Sequence, residues 1–150
     1  MKRFWLLILL IACVEMAWAS DWDARTTRTN TAVTDEDIRQ SLTSGITTDF
    51  AKAFPSKSFG IHVLVDRHVS DRFNGEGIYL SLGLCRRLSD GQYQLALGSL
   101  SELIFLPPGT PSEAQRREVV QILQRMASDF SRGMIQNQSR FSVAPSTKRP

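Results

Sequence analysis

From Phe59 to Cys85 the chain alternates in side-chain character. Ile61, Val63 and Val65 are separated by His62 and Leu64, and Ile78, Leu80, Leu82 and Leu84 by Tyr79, Ser81 and Gly83. A period of two on both sides of a turn-rich segment predicts two paired antiparallel strands. The segment between them, from Arg67 to Gly77, predicts a charged loop that carries Arg67, Arg72 and Phe73. Loops of this kind, with an aromatic beside charges, are common binding surfaces. Asp90-Gly91 then signals a tight turn. Tyr93, Leu95 and Leu97 alternate again, followed by a strand-like run from Leu100 to Leu106. A bend at Gly98-Ser99 leaves open whether the sheet has three strands or four.

The period changes to that of a helix on either side of this block. Ile38, Leu42, Ile46, Phe50 and Phe54 recur every four residues and predict one helix over 34–54. Thr34-Asp35-Glu36-Asp37 is a capping-box-like start, with acidic residues where the macrodipole favours them. Pro55 ends the helix. Gly45 weakens its middle by about 1 kcal/mol relative to alanine. A second helix is predicted from Thr110 to about Gln138, with Pro111 at its first position and Glu113 completing another box. Val119, Ile122, Leu123, Met126, Phe130 and Met134 form its stripe. The expected fold is α+β: two amphipathic helices on one face of a three- to four-stranded antiparallel sheet.

The ends read differently. Lys2 and Arg3 precede an apolar run from Phe4 to Val14, too short to span a bilayer. Ala17-Trp18-Ala19 offers a cleavage site, so residues 1–19 are expected to be an export signal. Leu10-Ile11-Ala12-Cys13 also resembles a lipobox, in which Cys13 would carry lipid and begin the mature chain. Residues 20–33 are polar, without apolar periodicity, and predict an irregular arm. Residues 34–138 form one domain, and 139–150 a disordered tail.

Composition narrows the function classes. The chain has 150 residues, 42% hydrophobic and 22% charged, which is ordinary for one globular domain. Its net charge of +3 falls to +2 without the leader. With no basic run interleaved with aromatics, this argues against nucleic acid. Only Cys85 remains after cleavage, so no internal disulfide forms. It is either a small half-buried residue or a thiol activated by Arg86 and Arg87. A metal site from His62, His68, Asp66 and Asp71 is disfavoured, because strand geometry sends His68 beyond the strand end. No nucleophile, base and orienting group fall together, and Gly75-Glu76-Gly77 lacks the phosphate-binding pattern. The residues predict a non-catalytic binding module without metal or cofactor.

One resemblance spans about 34–138. Thr48-Asp49-Phe50-Ala51-Lys52-Ala53-Phe54 resembles the end of the first helix of the CsgE family. The loop residues Ser70, Arg72, Phe73 and Gly75 match that family's loop; Arg67, Val69 and the extra Asn74 depart from it. Ile104-Phe105-Leu106-Pro107 resembles its last strand, and Val119-Val120, Leu123, Arg132 and Ile135 fall at its helix spacing. The resemblance implies a periplasmic, non-catalytic accessory protein of curli secretion. Such a protein self-associates into a ring, caps a CsgG-type outer-membrane pore and delivers unfolded CsgA-like curlin subunits. Arg67, Arg72, Phe73, Arg116 and Arg117 are then the expected partner-binding residues, since arginine and aromatics dominate interface energy. The plainer alternatives are a Phe73 tucked into the core and a solvated helix face for Arg116 and Arg117. The rival class is a lipid-anchored envelope assembly protein, held through Cys13 and unrelated to curli.

Overall fold

A computed structural model describes residues 24–70 and 75–141. The element order is β1 (Ala24–Thr29), α1 (Asp35–Gly45), α2 (Thr48–Ala53), β2 (Phe59–Ser70), β3 (Gly75–Arg87), β4 (Tyr93–Leu106), α3 (Ser112–Gln136) and α4 (Gln138–Phe141). The four strands form one sheet in the order β1-β2-β3-β4. The fold is α+β, with helices on one face of the sheet.

The expected hairpin is present and longer than its apolar pattern. β2 and β3 pair antiparallel from Phe59↔Arg86 to Ser70↔Gly75. Arg67 and His68 therefore lie on the strand, not on a loop. Ile61, Val63, Val65, Ile78, Leu80, Leu82 and Leu84 are all buried toward the helices. The Asp90-Gly91 turn is also present: Gly91 adopts φ +79° and the Gln92 N–H donates to Asp90 Oδ1 at 2.9 Å. β4 then runs unbroken through Gly98-Ser99. Its irregularity lies just before them, where the register shifts between Leu84↔Gly98 and Arg86↔Gln94 and leaves Cys85 opposite a bulge.

Two expectations about the N-terminal half are corrected. Residues 24–29, within the expected irregular arm, form β1 and pair in parallel with β2. The fourth strand comes from here, and the sheet is mixed rather than wholly antiparallel. Apolar periodicity misses β1 because its helix-side residues are Ala24, Thr26 and Arg28. Arg28 donates to the Val33 carbonyl at 2.7 Å and pairs with Asp35 at 3.0 Å. Second, the single helix over 34–54 is two. Ile46 caps the end of α1, and Thr47 opens α2 by accepting from the Phe50 N–H at 3.2 Å. Thr47 is itself held by buried Ser131 of α3, whose Oγ lies 3.0 Å from Thr47 Oγ1. The break turns Phe50 and Phe54 into an aromatic cluster with Phe130, Phe59 and Phe141.

The C-terminal helix differs at both ends. Its N-cap is Pro111, which makes no side-chain cap bond, and Glu113 completes no box. The Thr110 hydroxyl donates instead to the Pro107 carbonyl at 2.6 Å. Residues 139–141 belong to α4, where Phe141 packs on the core, rather than to a disordered tail. The expected signal segment, Cys13, Asp71, Arg72, Phe73 and the residues from 142 lie outside the described residues.

Gly45 sets how closely α1 approaches α3. A Cβ there would collide with Ala127 Cβ and sit 2.8 Å from Ser128 N and 2.9 Å from Gln124 O. Backbone cannot yield as a flexible side chain can. Alanine gains about 1 kcal/mol of helix propensity but overpacks a close contact at about 1–3 kcal/mol. Gly45→Ala is therefore expected to destabilise the fold by up to about 2 kcal/mol. Urea unfolding checks this; a raised midpoint would contradict the close approach.

Candidate functional site

Three of the expected partner-binding arginines lie among the described residues, and two are engaged within the chain. Arg67 lies on the helix-side face of β2 and donates through Nε to Glu76 Oε2 at 3.1 Å. Its Nη2 lies 2.9 Å from the same oxygen, and Nη1 donates to the Asn30 carbonyl at 3.3 Å. Buried Glu76 also accepts from Gln115 Nε2 at 2.8 Å, and Gln115 donates to the Thr110 carbonyl at 2.7 Å. This cluster joins β2, β3 and the start of α3.

Arg116 is the next residue and makes a second junction. Its Nε and Nη2 donate to the two Asp37 oxygens at 2.8 Å each, in a bidentate fork. Asp37 already works within α1. Its Oδ2 accepts from the Thr34 N–H at 2.8 Å, and its own N–H donates to Thr34 Oγ1 at 3.1 Å. The predicted box is present. The hydrogen bonds from Arg116 and Thr34 outweigh burial and hold the Asp37 carboxyl far below the ordinary carboxylate range. Arg117 is exposed on α3. Arg67 and Arg116 thus fix the fold rather than stand open to a partner.

The open surface lies on the other side of the sheet. The strand registers align four rows there, read from β1 to β4. Arg25, His62, Gly83 and Ser99 form one row, and Thr27, Leu64, Ser81 and Ser101 the next. Thr29, Asp66, Tyr79 and Leu103 follow, and His68, Gly77 and Phe105 end the face. No described helix covers it, so Leu103 is 53% and Phe105 75% exposed. Between the apolar end and the basic end runs a chain of hydroxyls. Tyr79 Oη donates to Ser101 Oγ at 2.9 Å, and Ser101 Oγ donates to Ser81 Oγ at 3.0 Å. At the basic end Arg25 and Arg87 flank the Tyr93 ring, 4.8 and 5.8 Å from its centroid.

The ionisable groups of this face are individually tied. His62 Nε2 lies 3.1 Å from Thr27 Oγ1, and His68 Nε2 lies 2.6 Å from Asp66 Oδ2. His68 is on the strand and shares a face with His62 and Asp66, contrary to its expected place beyond the strand end. Among the described residues no group of three His, Cys, Asp or Glu side chains is arranged to hold a metal. Cys85 is 8% exposed. Burial raises its thiol pKa, against smaller lowering effects from the His62 backbone and from Arg25. The buried reading of Cys85 holds.

Leu103 and Phe105 are the surface residues that the sequence reading did not single out. Their signal is the run Leu103-Ile104-Phe105-Leu106, apolar at both strand parities. Such a run fits a strand with apolar groups on both faces. Here only the helix side is covered.

No family model and no curated protein matches this chain. Solved structures similar to it include a minor lipoprotein from Acinetobacter baumannii, at 12% identity and a TM-score of 0.40, covering 77% of this chain and 93% of the other. A candidate lipoprotein from Caulobacter crescentus CB15 is 11% identical with a TM-score of 0.34, covering 91% of this chain and 98% of the other. Likeness at this level decides neither function nor partner.

Two outcomes follow from these sites. Asp37 has a depressed folded-state pKa, so its stabilisation is present above its unfolded value of 3.8 and is lost as pH falls below it. Asp37→Asn removes the charged acceptor and is expected to cost about 1–2 kcal/mol at neutral pH. That difference shrinks in urea titrations below about pH 3; a constant difference would contradict the ion pair. Native Cys85 is expected to react with a thiol reagent at least about tenfold more slowly than the unfolded chain; equal rates would restore the activated-thiol reading.

Proposed function

We propose that this protein is a non-catalytic accessory factor of the cell envelope that holds unfolded polypeptide on the open face of its sheet. The observation that carries the reading is the bare face itself, where exposed Leu103 and Phe105 adjoin the Tyr79–Ser101–Ser81 hydroxyl chain. An apolar end grips nonpolar side chains without demanding a sequence. The hydroxyls offer both donors and acceptors to main-chain and amide groups. Half-exposed Gly77 keeps β3 low beside Phe105, so a chain can approach closely there. This suits a polar, extended client better than a small molecule, which favours a concave pocket.

The resemblance to the CsgE family supplies the specific client. Under it, the protein acts in the periplasm beside a CsgG-type pore and holds CsgA-like curlin subunits before secretion. The leader supports export. The positions of Arg67 and Arg116 move the expected contact from those arginines to the outer face, with Arg117 still exposed beside the helices. The lipobox-like stretch ending at Cys13 supports the alternative of a lipid anchor. The mass of the mature N-terminus separates the two: a chain starting at Ser20 is expected, and a diacylated Cys13 would establish the anchor.

The double variant Leu103→Ser, Phe105→Ser tests the face. Both side chains are exposed, so the fold is expected to persist. Extracellular curlin polymer should fall at least about fivefold at an unchanged level of the protein, as for loss of two apolar anchors. Undiminished polymer would overturn the role of this face.

A further inference from the structure

The open face has different chemistry at its two ends. At one end Leu103 and Phe105 are exposed. Asp66 shares the row of Leu103, and His68 the row of Phe105. Asp66 Oδ2 meets the His68 ring, whereas Asp66 Oδ1 is buried without a hydrogen-bond partner among the described residues. At the other end Arg25 is exposed, and its guanidinium reaches from β1 across the sheet to the Tyr93 ring on β4. A ring face attracts the cation but supplies no counter-charge. Among the described residues Arg25 has no ion pair. Its charge is uncompensated there, and its N–H groups suit a carboxylate.

We propose that the face selects its client by two anchors: an apolar side chain at Phe105 and an acidic side chain at Arg25, about six residues further along an extended segment. This rests on the reading of the face as a platform for unfolded chain, and it names the segment the platform prefers. Spacing follows from the register. Ser99 shares the row of Arg25 and lies six residues before Phe105 on β4. Six residues of strand span about 20 Å, and an extended client lying along the strands advances at the same rise. The hydroxyls of Tyr79, Ser101 and Ser81 fill the interval and suit polar side chains there. Charge fixes which anchor goes where. Placed the other way round, the client's acid would face the Asp66 carboxylate and its apolar group the Arg25 guanidinium. Like charges brought together at an interface suppress that arrangement. A basic residue in place of the acid would be repelled by Arg25 for the same reason.

The test is an NMR titration of the isotope-labelled protein with short peptides of Ser, Asn and Gln, acetylated and amidated so that their ends carry no charge. Each peptide has one Phe and, six residues on, Glu, Gln or Lys; a fourth sets the Glu directly beside the Phe. The spaced Glu peptide is expected to bind about fivefold more tightly than the Gln peptide, as for one exposed ion pair. The Lys peptide is expected to bind more weakly than either, and the adjacent Glu to gain nothing. Arg25→Gln should remove the difference between the Glu and Gln peptides, Arg25→Lys should keep part of it, and about 1 M salt should abolish it by screening. Equal affinities for the Glu, Gln and Lys peptides would overturn the two-anchor selection while leaving the platform in place. So would a Glu preference that survives Arg25→Gln in a folded protein. Absence of binding by every peptide would overturn the platform itself.

Discussion

One carboxylate holds the helical layer together. Asp37 closes the first turn of α1 by accepting from the Thr34 backbone, and the same group takes the bidentate fork of Arg116 from α3. A cap alone would fix only where α1 begins. An ion pair alone would leave its rotation free. Joined on one side chain, they fix the start and the facing of α1 against α3. That facing brings Gly45 onto Ala127 and allows the close helix contact. The neighbouring Gln115 reaches the sheet through Glu76, which Arg67 also holds. Two adjacent residues at the start of α3 thus tie the helices to each other and to β2 and β3.

Placing every described helix on one side leaves the sheet with a second side. A helix layer buries Ile61, Val63, Val65 and the β3 leucines, and this burial supplies most of the stabilisation. The opposite face must then be tolerable to water. Serine, threonine, histidine and glycine make it so over most of its area. Leu103 and Phe105 break that rule at one end. Both fall on β4.

What the sequence revealed follows the range over which each cause acts. Alternation at 61–65 and 78–84 and the stripe of α3 depend on neighbours in the chain, and they stand as read. The Thr34–Asp37 box is equally local. β1 was hidden because its stabilisation comes from pairing with β2 and from the Arg28–Asp35 contact, neither of which produces an apolar period. The break at Ile46–Thr47 was masked by a stripe that continues through it. Its cause, Ser131, lies 84 residues away. At Thr110 the local pattern suggested a box, yet the hydroxyl found the Pro107 carbonyl first.

The candidate site shows the same division in a sharper form. Arginine and aromatic residues are reasonable guesses for binding, since their guanidinium and ring groups dominate interfaces. Whether an arginine is available depends on the carboxylates that the fold brings within reach. Glu76 and Asp37 lie 9 and 79 residues from the arginines they take. No spacing rule reports such a partner at that separation. Leu103 and Phe105 are apolar in a strand, which locally signals core, and only the absence of a described second layer turns them outward. Surface function here is therefore assigned by subtraction: the residues left uncovered after ion pairs, caps and helix packing are satisfied. The open face has to be read from the topology, because burial and exposure on a sheet are properties of its layers rather than of its strands.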